Sequence, residues 1–259
     1  MLYSLGKIVQ SGEHLQMEHV KQQPLWTKDF LIVSTINFFL TLIFYLLMVT
    51  IAMYAVEEYG ATTSEAGLAT GIFIIGALFG RLIAGRVIEN VGRKKLLLIG
   101  LVLITITTVL YFGVNSLSFL LINRLVHGLA FGIVSTATGT IVAQIIPESR
   151  RGEGVGYYSL SVTLATAIGP FLGLYLSQNT DYSVLIVLCV ILVIFSLISS
   201  FFLHVPIAHF SKEQAEEMKR FKLSNFIEPA SVPISLISMI AGFCYSSVLS
   251  FLSFYTVEI

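Results

Sequence analysis

The chain has 259 residues, 56% of them hydrophobic and 12% charged, with 15 basic side chains against 15 acidic ones. A mean hydropathy of +0.87 excludes an ordinary water-soluble domain and indicates an all-α polytopic membrane protein. A net charge of zero without a basic, aromatic-rich segment argues against a nucleic-acid partner. Cys189 and Cys244 both fall inside apolar runs, where a core role is expected rather than a disulfide or a metal site.

In chain order, the polar and patternless Met1–Asp29 reads as a cytoplasmic tail, with Met17 as an alternative start. The first apolar run, Phe30–Val56, is 27 residues long and has no small-residue cleavage site after it, so it reads as a retained span and not as a signal peptide. A bilayer core takes about 20 apolar residues per helix. Six further segments meet that length: Ala66–Val87, Leu96–Val114, Leu117–Ile146, Gly154–Ser177, Ser183–Val205 and Val232–Val257. The expected organisation is a tail over 1–29, a six-helix bundle over 30–205, a cytoplasmic central loop over 206–231 and a seventh helix over 232–259.

Each span offers candidate functional residues. In the first, Ser34, Asn37, Thr41, Tyr45 and Met48 recur at spacings of three and four and so share a face. That face either lines a polar cavity or bonds to a neighbouring helix. Arg81 in the second span lies about six residues from the next loop by this count, and a structural role beside Glu89, with its head drawn toward the interface, weighs at least as much as a functional one. Between the second and third spans, 85–96 reads GRVIENVGRKKL, a charged loop in which Gly85 and Gly92 permit a tight connection.

The fourth span carries Arg124, for which a polar cavity is favoured over a structural pairing. His127 is read first as a hydrogen-bonded structural group and second as a candidate proton site. Gly128, Gly132, Thr136 and Gly139 recur at helical spacing and read as a packing stripe. In the fifth span Gly169, Pro170 and Gly173 predict a kink. In the central loop, Ser211 to Gln214 form a capping-box pattern, and Phe210, Met218 and Phe221 make a narrow apolar stripe, so a surface helix and a solvated linker are equally open. Pro229 and Pro233 delay entry into the seventh span.

Thirteen of the fifteen Lys and Arg lie in the tail or at the loops 86–95, 147–153 and 206–231, whereas the alternate loops hold only Glu57, Glu58, Glu65 and Asp181. This bias predicts a cytoplasmic N-terminus, and an odd number of spans then places Ile259 outside. There is no Gly-rich phosphate loop ending in Lys-Ser or Lys-Thr, no His-Glu-x-x-His and no acidic residue in mid-span. The chain is therefore expected to be neither an enzyme nor an ATP-driven pump, and to need no cofactor or metal.

These residues carry a resemblance to the major facilitator superfamily of secondary transporters. Gly85, Glu89, Gly92, Arg93 and Lys94 fall on the fixed positions of its signature Gly-x-Leu-Ala-Asp-Arg-x-Gly-Arg-Arg/Lys, with Glu89 for the usual Asp and Asn90 for the usual Arg. Arg124, His127 and Gly128 are similar to the family's fourth-helix pattern Arg-x-x-Gln-Gly, whose arginine faces the central cavity. Gly156, Ala165, Gly169, Pro170 and Gly173 resemble the fifth-helix pattern of its exporters, with Ala165 and Leu174 where glycines are usual.

The resemblance implies a plasma-membrane exporter of small organic molecules, working by alternating access and driven by a proton gradient. It makes Arg124 a cavity residue, for which the first span's face with Asn37, Thr41 and Tyr45 offers a lining, and 85–95 a cytoplasmic gate. The alternatives are an uptake permease, or a non-transporting half that needs a separately encoded C-terminal partner. The family has twelve or fourteen helices, so the chain is expected to be truncated one helix into its second half.

Overall fold

The computed structural model describes residues 24–206 and 229–255, and the described residues contain helices and no strands. Six long helices form one unit: α1 (Lys28–Tyr59), α2 (Thr63–Val91), α3 (Arg93–Leu110), α4 (Leu117–Ile145), α5 (Arg151–Asn179) and α6 (Tyr182–Phe201). Each of these six is long and apolar enough to cross a bilayer. A second unit, His209–Ile259, contains α7 (Val232–Tyr255), preceded by a 3-10 turn over Pro229–Ser231. The expectations for Met17 and the tail up to residue 23, and for the pattern over 210–221, lie outside the described residues.

Helix ends are written in local chemistry. Thr27 Oγ1 accepts from the Phe30 N–H at 3.2 Å and starts α1, and Gly60, at φ 61°, ends it in the left-handed conformation. Thr62 and Glu65 form a reciprocal capping box at the start of α2. Ser116 caps α4 by accepting from the Phe119 N–H at 3.3 Å.

Two expected boundaries are corrected. The charged stretch 85–96 is not a loop: α2 continues to Val91, α3 begins at Arg93, and the break is confined to Gly92 at φ 92°. Gly85 lies inside α2, so Gly92 alone makes the turn. The sixth helix was expected to reach Val205 and instead ends at Phe201. There Lys94 Nζ donates to the carbonyls of Phe201 and Leu203 at 3.1 and 2.6 Å, and the His204 N–H donates to Asp29 Oδ1 at 2.8 Å. These partners take up backbone groups that another turn of helix would have used.

Lipid offers no hydrophobic drive between helices, so close backbone approach must hold the bundle together. Gly76 and Gly80 of α2 lie against the backbone of Leu125 and Leu129 in α4, and Gly128 and Gly132 of α4 lie against Phe73 and Ala77 in α2. Each helix thus contributes a Gly-x-x-x-Gly pair to one interlocked seam. Gly169 and Gly173 of α5 pack in the same way on Tyr45 and Leu46 of α1. α5 contains Pro170 and is helical from end to end, and the glycines beside the proline make this contact. Ile74, Leu78 and Leu82 on α2, with Leu160, Leu164 and Phe171 on α5, remain exposed.

Candidate functional site

The polar face of α1 opens onto a cavity of about 480 Å³. Asn37, Thr41, Phe44 and Tyr45 contribute from α1, Phe73, Ala77, Leu78 and Arg81 from α2, Phe131 and Ser135 from α4, and Val162 from α5. The side chains converge because they share a level. Asn37, Arg81, Ser135 and Val162 each lie nine to eleven residues from the helix end nearest the α2–α3 turn, about 14–17 Å at the α-helical rise per residue. That is roughly half of a bilayer's hydrocarbon thickness.

One wall is aromatic. Phe44 stacks on Phe73 and on Phe131 with ring centroids 5.3 and 5.5 Å apart, and Phe73 meets Phe131 at 5.4 Å. The opposite character comes from α1. Asn37 Nδ2 donates to Ser161 Oγ at 2.9 Å, so this member of the stripe lines the cavity and also ties α1 to α5. Ser34 Oγ is buried without a partner, and neither Ser34 nor Met48 is among the lining residues.

Arg81 is the charged residue of the lining. Its side chain is exposed, and Glu89, the neighbour expected beside it, instead accepts from Arg93 at 2.9 Å. A cation at this depth would cost about 2.5–3.5 kcal/mol if it faced lipid. The sequence count placed Arg81 four residues too near the α2–α3 turn, because α2 extends past Val87 to Val91. Its spacing from Ile74 and Leu78 was the available signal, since those three residues share a helical face.

Arg124, expected in the cavity, is 1% exposed and is not among the lining residues. Its Nε donates to the Ala69 carbonyl at 3.0 Å, Nη1 reaches the Tyr111 hydroxyl at 3.4 Å, and the guanidinium sits 4.5 Å from the Phe73 ring centroid. Phe73 therefore has the cavity on one side and Arg124 on the other. His127 lies in the same enclosed cluster, with Nδ1 3.2 Å from the Tyr111 hydroxyl and its ring edge-on to Phe73.

The expected gate residues gather at the end of the bundle where α1 begins and α6 ends. Arg93 bridges Glu89 and the Gln144 side chain of α4, Gln144 Nε2 donates to the Pro206 carbonyl at 3.0 Å, and Lys94 holds the end of α6. The α2–α3 turn is thus tied to both α4 and α6. Gly169 and Gly173 lie on the α1–α5 contact described above, and Pro170 lies between them in the chain.

Residues 33–259 match the sequence profile of the Major Facilitator Superfamily. The chain belongs to that family. Within it, the chain is similar to an uncharacterized MFS-type transporter of Methanocaldococcus jannaschii, with 31% identity over 122 residues, 47% of this chain and 31% of that protein. It is also similar to the staphylopine export protein of Staphylococcus aureus, with 24% identity covering 78% of this chain and 52% of the relative. The quinolone resistance protein NorA of the same organism is 22% identical over 55% of this chain and 37% of its own length. The chain spans about a third to a half of these relatives. Among solved structures, the fold resembles the human organic anion transporter MFSD10 (TETRAN) at a TM-score of 0.61, with 19% identity, 81% of this chain and 55% of that one covered. A peptide transporter, POT, in complex with alafosfalin is matched at 0.62, with 15% identity over 90% of this chain and 48% of that one. This superfamily fold places Asn37, Thr41, Tyr45 and Arg81 on one mid-level cavity.

Proposed function

We propose that this superfamily member forms the substrate-binding half of a plasma-membrane exporter of small organic molecules that works by alternating access. The observation that carries the reading is the cavity, which joins a polar face on α1 to an aromatic wall at the middle of the bundle. A volume of about 480 Å³ suits a drug-sized molecule. Support for export comes from the staphylopine export protein and the quinolone resistance protein among the relatives. In this reading the network Glu89–Arg93–Gln144, with Lys94 on α6, is the cytoplasmic gate, breaking and re-forming as the cavity changes its access.

Cells lacking their own exporters test this, through the steady-state accumulation of a fluorescent quinolone and of a panel of structurally unrelated dyes. Expression of the protein at its natural length is expected to lower accumulation of at least one of them, and Ser135→Trp, which fills the cavity, is expected to restore it. Raised accumulation would instead identify an uptake permease, and no change across the panel would remove the transport reading.

A further inference from the structure

We propose that Arg81 is the substrate-binding cation of this cavity, and that its substrates are organic anions joining an aromatic body to a carboxylate, sulfonate or phosphate group. The inference rests on the transport reading and adds the charge of the cargo. No Asp or Glu is among the lining residues, and Arg81 supplies the charge there. Arg81 makes no ion pair and no side-chain hydrogen bond with any described residue.

The described acids of the six-helix unit are remote from it. Asp29, Glu57, Glu58, Glu65, Glu89, Glu148, Glu153 and Asp181 all belong to the ends of helices or to the turns between them. Ten residues, about 15 Å, separate Arg81 from the C-terminal end of α2, and helical side chains lean toward the N-terminus, away from that end. A cation held at mid-span without a counter-charge is the expected feature of a substrate or ion pathway.

The neighbouring groups complete the recognition. Thr41 and Tyr45 line the same cavity, and neither hydroxyl hydrogen-bonds a described residue, leaving two donors for a ligand. A guanidinium fork matches a carboxylate or phosphate with two parallel hydrogen bonds. Phe44 and Phe131, backed by the buried Phe73, offer an aromatic surface for the rest of the ligand.

Two dyes sharing one fluorophore and differing in charge, dansylglycine and dansylcadaverine, test the assignment by fluorescence titration of the natural-length protein in lipid nanodiscs. Wild type is expected to bind the anionic dye about tenfold more tightly than the cationic one, as charge-assisted hydrogen bonding to an arginine allows. Arg81→Gln is expected to lose about that factor for dansylglycine without weakening dansylcadaverine, whose repulsion by the cation is removed, with Arg81→Lys between Arg81→Gln and wild type. Tyr45→Phe should cost dansylglycine about threefold to tenfold, the effect of one hydrogen bond. Competition on wild type alone, by benzoate against benzylamine, reads the preference without any variant, and benzoate is expected to displace dansylglycine.

A wild-type preference for dansylcadaverine would overturn the inference, because it would mean that an acid faces the cavity from elsewhere in the chain. Binding of neither dye, equal binding that Arg81→Gln leaves unchanged, or loss of both dyes in that variant would overturn it as well. Export of organic cations alone, in the accumulation assay above, would overturn this inference and leave the transport reading standing.

Discussion

At the scale of single residues, two arginines inside the spans have opposite surroundings. Arg124 is enclosed, with an α2 carbonyl, a tyrosine hydroxyl and a phenyl face around its guanidinium and no carboxylate among these contacts. Breaking a buried ion pair costs about 3–5 kcal/mol because a charge is left behind. Removing Arg124 leaves only neutral groups, and the Tyr111 hydroxyl keeps its contact with His127. Arg124→Met is therefore expected to cost about 1–3 kcal/mol, the range for a lost buried hydrogen-bond partner. Arg124→Lys, which keeps the charge and loses the fork and the stacking on Phe73, should be at least as costly. Thermal unfolding of the purified variants measures both. A loss of 3–5 kcal/mol in Arg124→Met would instead reveal an acidic partner.

The same contrast explains what the sequence could and could not say about the site. The polar face of α1 was legible because periodicity alone places Asn37, Thr41 and Tyr45 together. That Arg81 would join them was legible only through the face it shares with Ile74 and Leu78, and that Arg124 would not was illegible. Burial of Arg124 depends on the Ala69 carbonyl and on Phe73, both supplied by a helix 55 and 51 residues earlier in the chain. The depth of Arg81 depends on where α2 stops, and its apolar stretch ends four residues before its hydrogen bonds do.

At the scale of elements, the α2–α4 seam decides how closely the bundle closes. A Cβ at Gly128 would meet the backbone of Phe73, which cannot move without the whole of α2, whereas Gly139, two turns beyond Gly132 in the same stripe, has nothing within 4 Å. Gly128→Ala is accordingly expected to destabilise by about 1–3 kcal/mol, as overpacking does. Gly139→Ala should be neutral or slightly stabilising, because alanine favours the helix by up to about 1 kcal/mol over glycine. Fluorescence-detected size exclusion after a heat challenge would rank the two, and equal losses would contradict the interlocked seam. The stripe as a whole was readable in the sequence. Its division into two glycines under contact and one in the open required the partner helix, since spacing alone carries no information about where two helices cross.

At the scale of the whole molecule, the charge asymmetry and the packing agree on which helix ends belong together. Asp29 contacts the end of α6, Lys94 caps it, and Gln144 reaches Pro206, so the starts of α1 and α3 and the ends of α4 and α6 form one face of the bundle. The opposite face is closed by aromatic contacts: Tyr54 stacks on Tyr182 at 3.9 Å, and the Tyr59 hydroxyl donates to the Val114 carbonyl at 3.1 Å. The first face holds Arg93, Lys94, Lys95, Arg150 and Arg151, and the second holds Glu57, Glu58, Glu65 and Asp181. By the positive-inside bias the first should be cytoplasmic.

Single cysteines introduced after replacement of Cys189 and Cys244 test this with an impermeant thiol reagent on intact cells. The structure chooses the positions. Lys94 anchors α6, and Thr62 caps α2 at a value of about 0.5–2 kcal/mol, so altering either would disturb the fold being probed. Lys95 and Ser64 are exposed neighbours without those duties. Ser64→Cys is expected to label in intact cells and Lys95→Cys only after the membrane is opened. The reverse pattern would turn the bundle over and make the Glu89–Arg93–Gln144 network an external gate, while labelling of both in intact cells would contradict a bundle that spans the bilayer.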